Sequence, residues 1–241
     1  ATGDTTAPGV LSLVASGRQV VDFYEATDTA LDTFGNHEFD YGPDALRGLV
    51  AEAPATFVSA NVRDEAGDPF SREEGVVPWA AREVGGETIG FVGVTDPATD
   101  SLNPMAADLS FDAPLGAARD ALAEMRTAVA ERGESADDAD ASTSADPLDH
   151  AVILSHLGAG DDDLARELDI DAILGGHVHS RRNEVVAGTR LVRPGVNGEA
   201  IAEIDLDSPV PGAILHEPDG ATPAPGLADA LAERMAAADL D

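Results

Sequence analysis

The sequence predicts an α/β domain whose functional groups sit at strand ends. Three observations carry this. Strand-length apolar runs, such as residues 89–94 and 151–154, alternate with stretches of helical spacing such as 115–132. Glycines punctuate the ends of the apolar runs, and four histidines follow such runs directly, where open α/β sheets place their ligand sites. At 241 residues and 43% hydrophobic content the chain can bury a real core in one large or two small domains, which excludes a disordered chain. No run of about 18 apolar residues occurs, so no segment reads as membrane-spanning. There is no cysteine, hence no disulfide framework, no thiolate zinc site and no cysteine nucleophile.

Taken in order, residues 1–4 read as the end of a strand entering a turn, 10–14 and 19–24 as short helices, and 29–34 as a strand ending at Gly35. The loop GNHEFDYG follows, and Gly42 and Pro43 open a helix running to about Glu52. Residues 55–62 (ATFVSANV) are strand-like. The runs PWAAREV and ETIGFVGVT flank Gly85-Gly86, a strong hairpin signal. Residues 115–132 combine helical spacing with good helix formers. Residues 133–149 are acidic and nearly free of large apolar side chains, which predicts a mobile, solvated loop. Strands are expected over AVILS (151–155), 171–174, 184–186, 190–192 and 200–205, with a helix over 161–168. A Pro/Gly-rich tail spans 209–225, and a last helix spans 227–238. There is no internal repeat, and the reading is one domain over 1–241.

The net charge is −32, and every one of the 14 basic residues is arginine. Nucleic-acid polymers are poor partners for such a chain, because a polyanion is held mainly by basic phosphate contacts. High net charge opposes compactness unless salt screens it, so the composition predicts a halophilic protein. The chain opens without a methionine or a signal-peptide pattern, so localisation is left between cytoplasmic and secreted in a high-salt organism.

Of six histidines, His37, His156, His177 and His179 lie just after apolar strands and beside glycines, whereas His150 and His216 have no such context. Four repeats of strand, histidine and glycine imply one shared rim. Imidazoles with a carboxylate from Asp4 and an amide oxygen from Asn36, without thiolates, suit Mn, Zn, Fe or Co. Two such ions about 3.5 to 4 Å apart clamp a phosphoryl group and activate a water near neutral pH. The chemistry so implied is metal-assisted phosphoester hydrolysis.

At these residues the chain resembles the calcineurin-like metallophosphoesterases, and within them the branch of 5'-nucleotidases and 2',3'-cyclic-nucleotide phosphodiesterases. Gly3-Asp4 is similar to the family's GD motif, residues 35–42 (GNHEFDYG) to its GNHE motif, 155–158 (SHLG) to its lone-histidine loop, and 176–179 (GHVH) to its GHxH motif. The stretches ATFVSANV, ETIGFVGVTDP and VRPGVNGEAIAEIDL are typical of the branch. The resemblance implies a four-layer α/β/β/α sandwich and two divalent ions between the loops of its two sheets. It implies that Asp4 bridges the ions, that Asn36, His156 and His177 complete one site, and that His179 belongs to the other. His37 is no ligand in the family; it handles the leaving group with Asp40 as its partner, and their i, i+3 spacing lets Asp40 hold one ring nitrogen while the other faces substrate. Glu38 and Phe39 read as structural.

The family's opening Asp-x-His motif is missing from this chain. The expectation is a fragment lacking its first strand and helix, with the second metal site incomplete and the terminal helix (226–241) leading toward a further domain. The substrate implied is a small nucleotide, with no membrane partner. His179, where many strict 5'-nucleotidases carry Gln or Asn, points weakly toward the cyclic phosphodiesterases. Two other readings remain: a metal-binding but catalytically impaired domain, and a sulfur-ester hydrolase of the same fold.

Overall fold

The computed structural model describes residues 1–134, 148–222 and 224–240. The elements are α1 (Val10–Ala15), α2 (Gln19–Thr27), β1 (Leu31–Asp32), α3 (Pro43–Glu52), β2 (Thr56–Phe57), β3 (Val62–Arg63), β4 (Trp79–Val84) and β5 (Glu87–Thr95). There follow α4 (Thr99–Leu102), β6 (Ser110–Phe111), α5 (Pro114–Glu134), β7 (His150–His156), α6 (Asp161–Glu167) and β8 (Ala172–Gly175). The chain continues through β9 (Arg182–Val186), β10 (Thr189–Arg193), β11 (Ile201–Asp205), β12 (Gly212–His216) and α7 (Pro225–Ala237). Of the loop expected at 133–149, residues 135–147 lie outside the described residues.

The main sheet has six strands in the order β4-β5-β7-β8-β10-β9. The inner strands β5, β7, β8 and β10 are parallel neighbours, and β4 and β9 close the edges antiparallel. Parallel strands are covered on both faces and read as unbroken apolar runs, as AVIL does in β7. On one face Ala118, Leu122, Met125 and Val129, a stripe at helical spacing along α5, bury against Val92, Val94 and Ile153. On the other, Leu31 and Val58 meet Ala80 and Leu154, so the parallel pair β1–β2 faces the main sheet as a second, two-stranded sheet. Outside that pair, Val20 and Tyr24 of α2 and Leu46 and Leu49 of α3 pack with Phe34 and Phe57. The layers run helix, sheet, sheet, helix, as the motifs imply.

Three local expectations are corrected. Residues 1–4 form no strand: the Ala1 amine donates to Leu31 O and the Gly3 amide to the Asp32 side chain, but φ of 79° at Gly3 and 56° at Asp4 turns the backbone off the ladder. The run 55–62 is no single strand. It crosses between sheets: the Val58 amide donates to Asp32 O on one side, and the Ser59 and Ala60 amides to Val77 O and Gly93 O on the other. The crossing is so close that a Cβ on Gly93 would meet Val58 O at 1.9 Å. The tail 209–225 contains β12, paired antiparallel with β11.

The expected hairpin forms, with Gly85 and Gly86 both at positive φ as a tight turn between β4 and β5 requires. Among the described residues no helix is long and apolar enough to cross a membrane.

Candidate metal centre

The parallel register brings three strand ends together. Thr95 of β5 lies beside His156 of β7, and Ser155 beside Gly175 of β8, so Asp96, His156 and His177 emerge next to one another. From the facing layer, the loop after β1 delivers Asn36 and His37, and the turn at Gly3-Asp4 brings the Asp4 carboxylate against them. Ligand atoms of Asp4, His156 and His177 lie within 4.8 Å of one another.

Glycines make this approach possible. A Cβ on Gly35 would stand 2.2 Å from Asp4 Oδ1 and 2.6 Å from His156 Cε1, and one on Gly176 would stand 2.9 Å from His156 Nδ1. The glycines of the GD, GNHE and GHxH motifs are therefore walls around one imidazole. Asp4 and His177 both hold φ in the left-handed region, 56° and 66°, a conformation that non-glycine residues keep only where the surroundings enforce it.

His156 is almost fully buried. Its Nδ1 lies 2.6 Å from Thr2 O, and because a carbonyl only accepts, Nδ1 carries a proton, which leaves Nε2 as the ring atom able to face a metal; burial lowers the proton affinity of the ring, but the Asp4 carboxylate outweighs it and raises the net value. That Nε2 is buried without a directed hydrogen bond, 3.0 Å from Asp4 Oδ2. His177 Nδ1 likewise lies 3.0 Å from Asn36 Oδ1. Separations near 3.0 Å are those of neighbouring ligands around an ion with bonds of about 2.0 to 2.1 Å.

The electrostatics point the same way. Buried Glu38 accepts the amides of Asp4 (2.7 Å), Thr5 (2.7 Å), Thr6 (3.2 Å) and Gly35 (2.6 Å), so it builds the loop that holds Asp4. Buried Asp32 accepts the Gly3 amide and the hydroxyls of Thr5 and Tyr24. Burial, then the charges of Asp4 and Asp32, push Glu38 up to about 7. Burial would also raise Asp4, but His156 and the His37 amide draw it below its ordinary value. Burial, then the neighbouring His156 ring, hold His177 below the usual imidazole value, favouring the neutral form that a metal needs. Among the described contacts no arginine reaches Asp4, Asp32 or Glu38. N and O donors around uncompensated negative charge fit a borderline divalent cation.

Beside this cluster, His37 Nδ1 lies 2.9 Å from Asp40 Oδ2. Asn103 donates to Asp40 Oδ1 and to Asn36 O, both at 2.8 Å, tying the two residues to one amide. Burial lowers the His37 imidazole, but the Asp40 hydrogen bond and nearby carboxylates outweigh it and raise the net value. His179 is exposed and lies outside the Asp4–His156–His177 group. Asp32, Asp96 and Asn103 were not singled out by the sequence; a buried Asp inside the apolar run 29–34 is the one of these that carried a signal.

No family model matches the chain. It is 26% identical to human 5'-nucleotidase over 179 residues, covering 73% of this chain and 28% of that protein. A 5'-nucleotidase precursor from Thermus thermophilus superposes with a TM-score of 0.78 at 22% identity, over 98% of this chain and 48% of that one. The sulfate thiohydrolase SoxB of Thermus thermophilus superposes at 0.76 and 23% identity, over 98% and 42%. These superpositions show that the chain has the fold of the 5'-nucleotidase and SoxB structures, and the Asp4–His156–His177 cluster lies at the strand ends of that fold. The chain's likeness by sequence is to the 5'-nucleotidases, of which it spans a little over a quarter of the length.

Proposed function

We propose that the protein hydrolyses nucleotide phosphoesters with divalent metal held by Asp4, Asn36, His156 and His177, and with His179 and Asp4 serving a second ion. The observation that carries this reading is the convergence of Asp4, His156 and His177, with no arginine in contact with them among the described residues. Bound metal would supply positive charge to the phosphoryl oxygens and lower the pKa of a water.

The chain's own groups have separable tasks. Glu38 and Asp32 fix the Asp4 turn, and the Thr2 carbonyl fixes the His156 tautomer. Asp40 holds His37 Nδ1, so Nε2 is the atom left to give a proton to the leaving-group oxygen. The raised affinity of His37 for its proton suits an acid acting near neutral pH. A cavity of about 590 Å³, lined in part by Tyr41, Arg47, Met105 and Asp108, begins where that loop ends and offers room for a nucleoside. Thirty-two net negative charges favour a small substrate over a polymer, and high salt as the working medium.

The match to a sulfate thiohydrolase, as close in TM-score as that to a nucleotidase, sustains sulfur-ester hydrolysis as a second reading. Chelator-treated protein, supplied with Mn²⁺ and offered AMP, 2',3'-cyclic AMP and an S-sulfonated thiol, separates the cases. Phosphate release from AMP, or opening of 2',3'-cyclic AMP to a nucleoside monophosphate, is the expected result. Sulfate release alone would select the second reading, and metal uptake with no turnover would leave a binding domain.

A further inference from the structure

We infer that Asp96 is a positioning residue that sets the tautomer of His177 and so switches its Nδ1 into a ligand; the inference rests on the metal reading above. Asp96 follows β5 directly and is fixed on all sides. Its amide donates to His156 O at 3.1 Å, its carbonyl accepts the Thr99 hydroxyl at 2.6 Å, and its Oδ1 accepts the Ala98 amide at 2.9 Å. One oxygen is left over, and Oδ2 lies 3.4 Å from His177 Nε2.

The proton of neutral His177 has two places to go. Here Nδ1 faces Asn36 Oδ1 at 3.0 Å, and an amide oxygen only accepts, so the proton is on Nδ1 and the pair satisfies itself. A cation taken up by Asn36 Oδ1 and His177 Nδ1 needs the Nδ1 lone pair, which requires the proton on Nε2. Asp96 Oδ2 is the acceptor waiting there. The proton count of the ring does not change, only its position, and the carboxylate–histidine pair raises the donor strength of the other nitrogen. The carboxylate is pre-set, because Oδ1 is pinned by a turn that any oxygen at that atom would keep.

That pinning gives a discriminating test. In Asp96→Asn the amide oxygen must take the Ala98 amide, since only an oxygen accepts it, so the NH₂ group faces His177 Nε2 and favours the wrong tautomer. In Asp96→Ala nothing faces Nε2, but the Ala98 amide loses its acceptor. Calorimetric titration of the full chain with Co²⁺, beside thermal melts of the metal-free proteins, should rank affinity as wild type, then Asp96→Ala, then Asp96→Asn. The asparagine variant should bind about 10- to 100-fold more weakly while its metal-free melting temperature stays that of the wild type. ¹⁵N-histidine spectra should show His177 protonated at Nδ1 in the metal-free wild type and at Nε2 with Co²⁺ bound. Wild-type affinity in Asp96→Asn, or a lower affinity in Asp96→Ala than in Asp96→Asn, would overturn the role of Asp96 while leaving the metal reading standing. Absence of Co²⁺ binding by the wild type would overturn the metal reading and this inference together.

Discussion

Two polar clusters sit side by side under the loops that follow β7 and β8, and they are built to opposite plans. The first, Ser155–Asp161–Arg193, is closed. Asp161 Oδ1 takes the Ser155 hydroxyl at 2.5 Å, and its Oδ2 takes Arg193 at 3.0 Å; Arg193 also reaches Gly158 O at 3.2 Å, with Nε its one unpartnered nitrogen. Both charged residues are at most 4% exposed and their charges cancel. The second, Asp4–His156–His177, is open: among the described residues no arginine reaches its carboxylate, and His156 Nε2 is buried without a directed hydrogen bond. Neighbouring positions 155 and 156 thus serve different ends. A buried cluster that neutralises itself is a brace, and one that leaves lone pairs facing a common point calls for a cation.

The contrast breaks most visibly at Asp4. If Asp4 holds the metal as proposed, Asp4→Asn should cost on the order of 10³-fold in turnover, because it removes the one carboxylate of the cluster. Its metal-free melting temperature should hold or rise, since one of three crowded carboxylates is gone. Arg193→Met should do the reverse within its own cluster. It strands the Asp161 carboxylate, already lifted by burial despite Ser155 and Arg193, and should destabilise the fold by about 3 to 5 kcal/mol in denaturant titration. Asp161→Asn added to that variant should restore part of the loss. If Asp4→Asn were the destabilising change and Arg193→Met the harmless one, the two plans would have been assigned the wrong way round.

His37 sharpens the boundary of the open cluster. His37→Ala should lower turnover of a nucleotide with a poor leaving group by about 10²-fold while metal content stays that of the wild type. Loss of metal in the variant would place His37 among the ligands. The smallest effect concerns the surface. Near 0.1 M salt the Debye length is about 10 Å and near 1 M about 3 Å, so self-repulsion of a chain of net charge −32 fades across that range. The melting midpoint should therefore rise steadily with KCl, and a flat or falling midpoint would contradict the halophilic reading alone.

What the sequence made legible follows this division. His37, His156 and His177 could be read because a histidine between a strand and a glycine has few structural uses, and the glycines are there to let backbone and imidazole meet. Apolar runs gave the main sheet, since parallel strands bury both faces. Asp96 and Asn103 were not singled out, although Asp96 lies within ETIGFVGVTDP, because their value comes from contacts across 63 to 81 residues of chain. Glu38 looked structural and is, but that four amides converge on it could not be seen from spacing. β12 was masked by the prolines on either side of it, and the run 55–62 looked like one strand because nothing in its composition marks the point where it changes sheets.

The most direct test of the open cluster is calorimetric titration of chelator-treated protein with Mn²⁺, wild type beside His156→Ala. The wild type should take up the ion with a clear saturating heat, and the variant, lacking the buried Nε2, should show none at the same concentrations. Equal uptake by the two, or none by the wild type, would contradict a metal centre built on Asp4, His156 and His177.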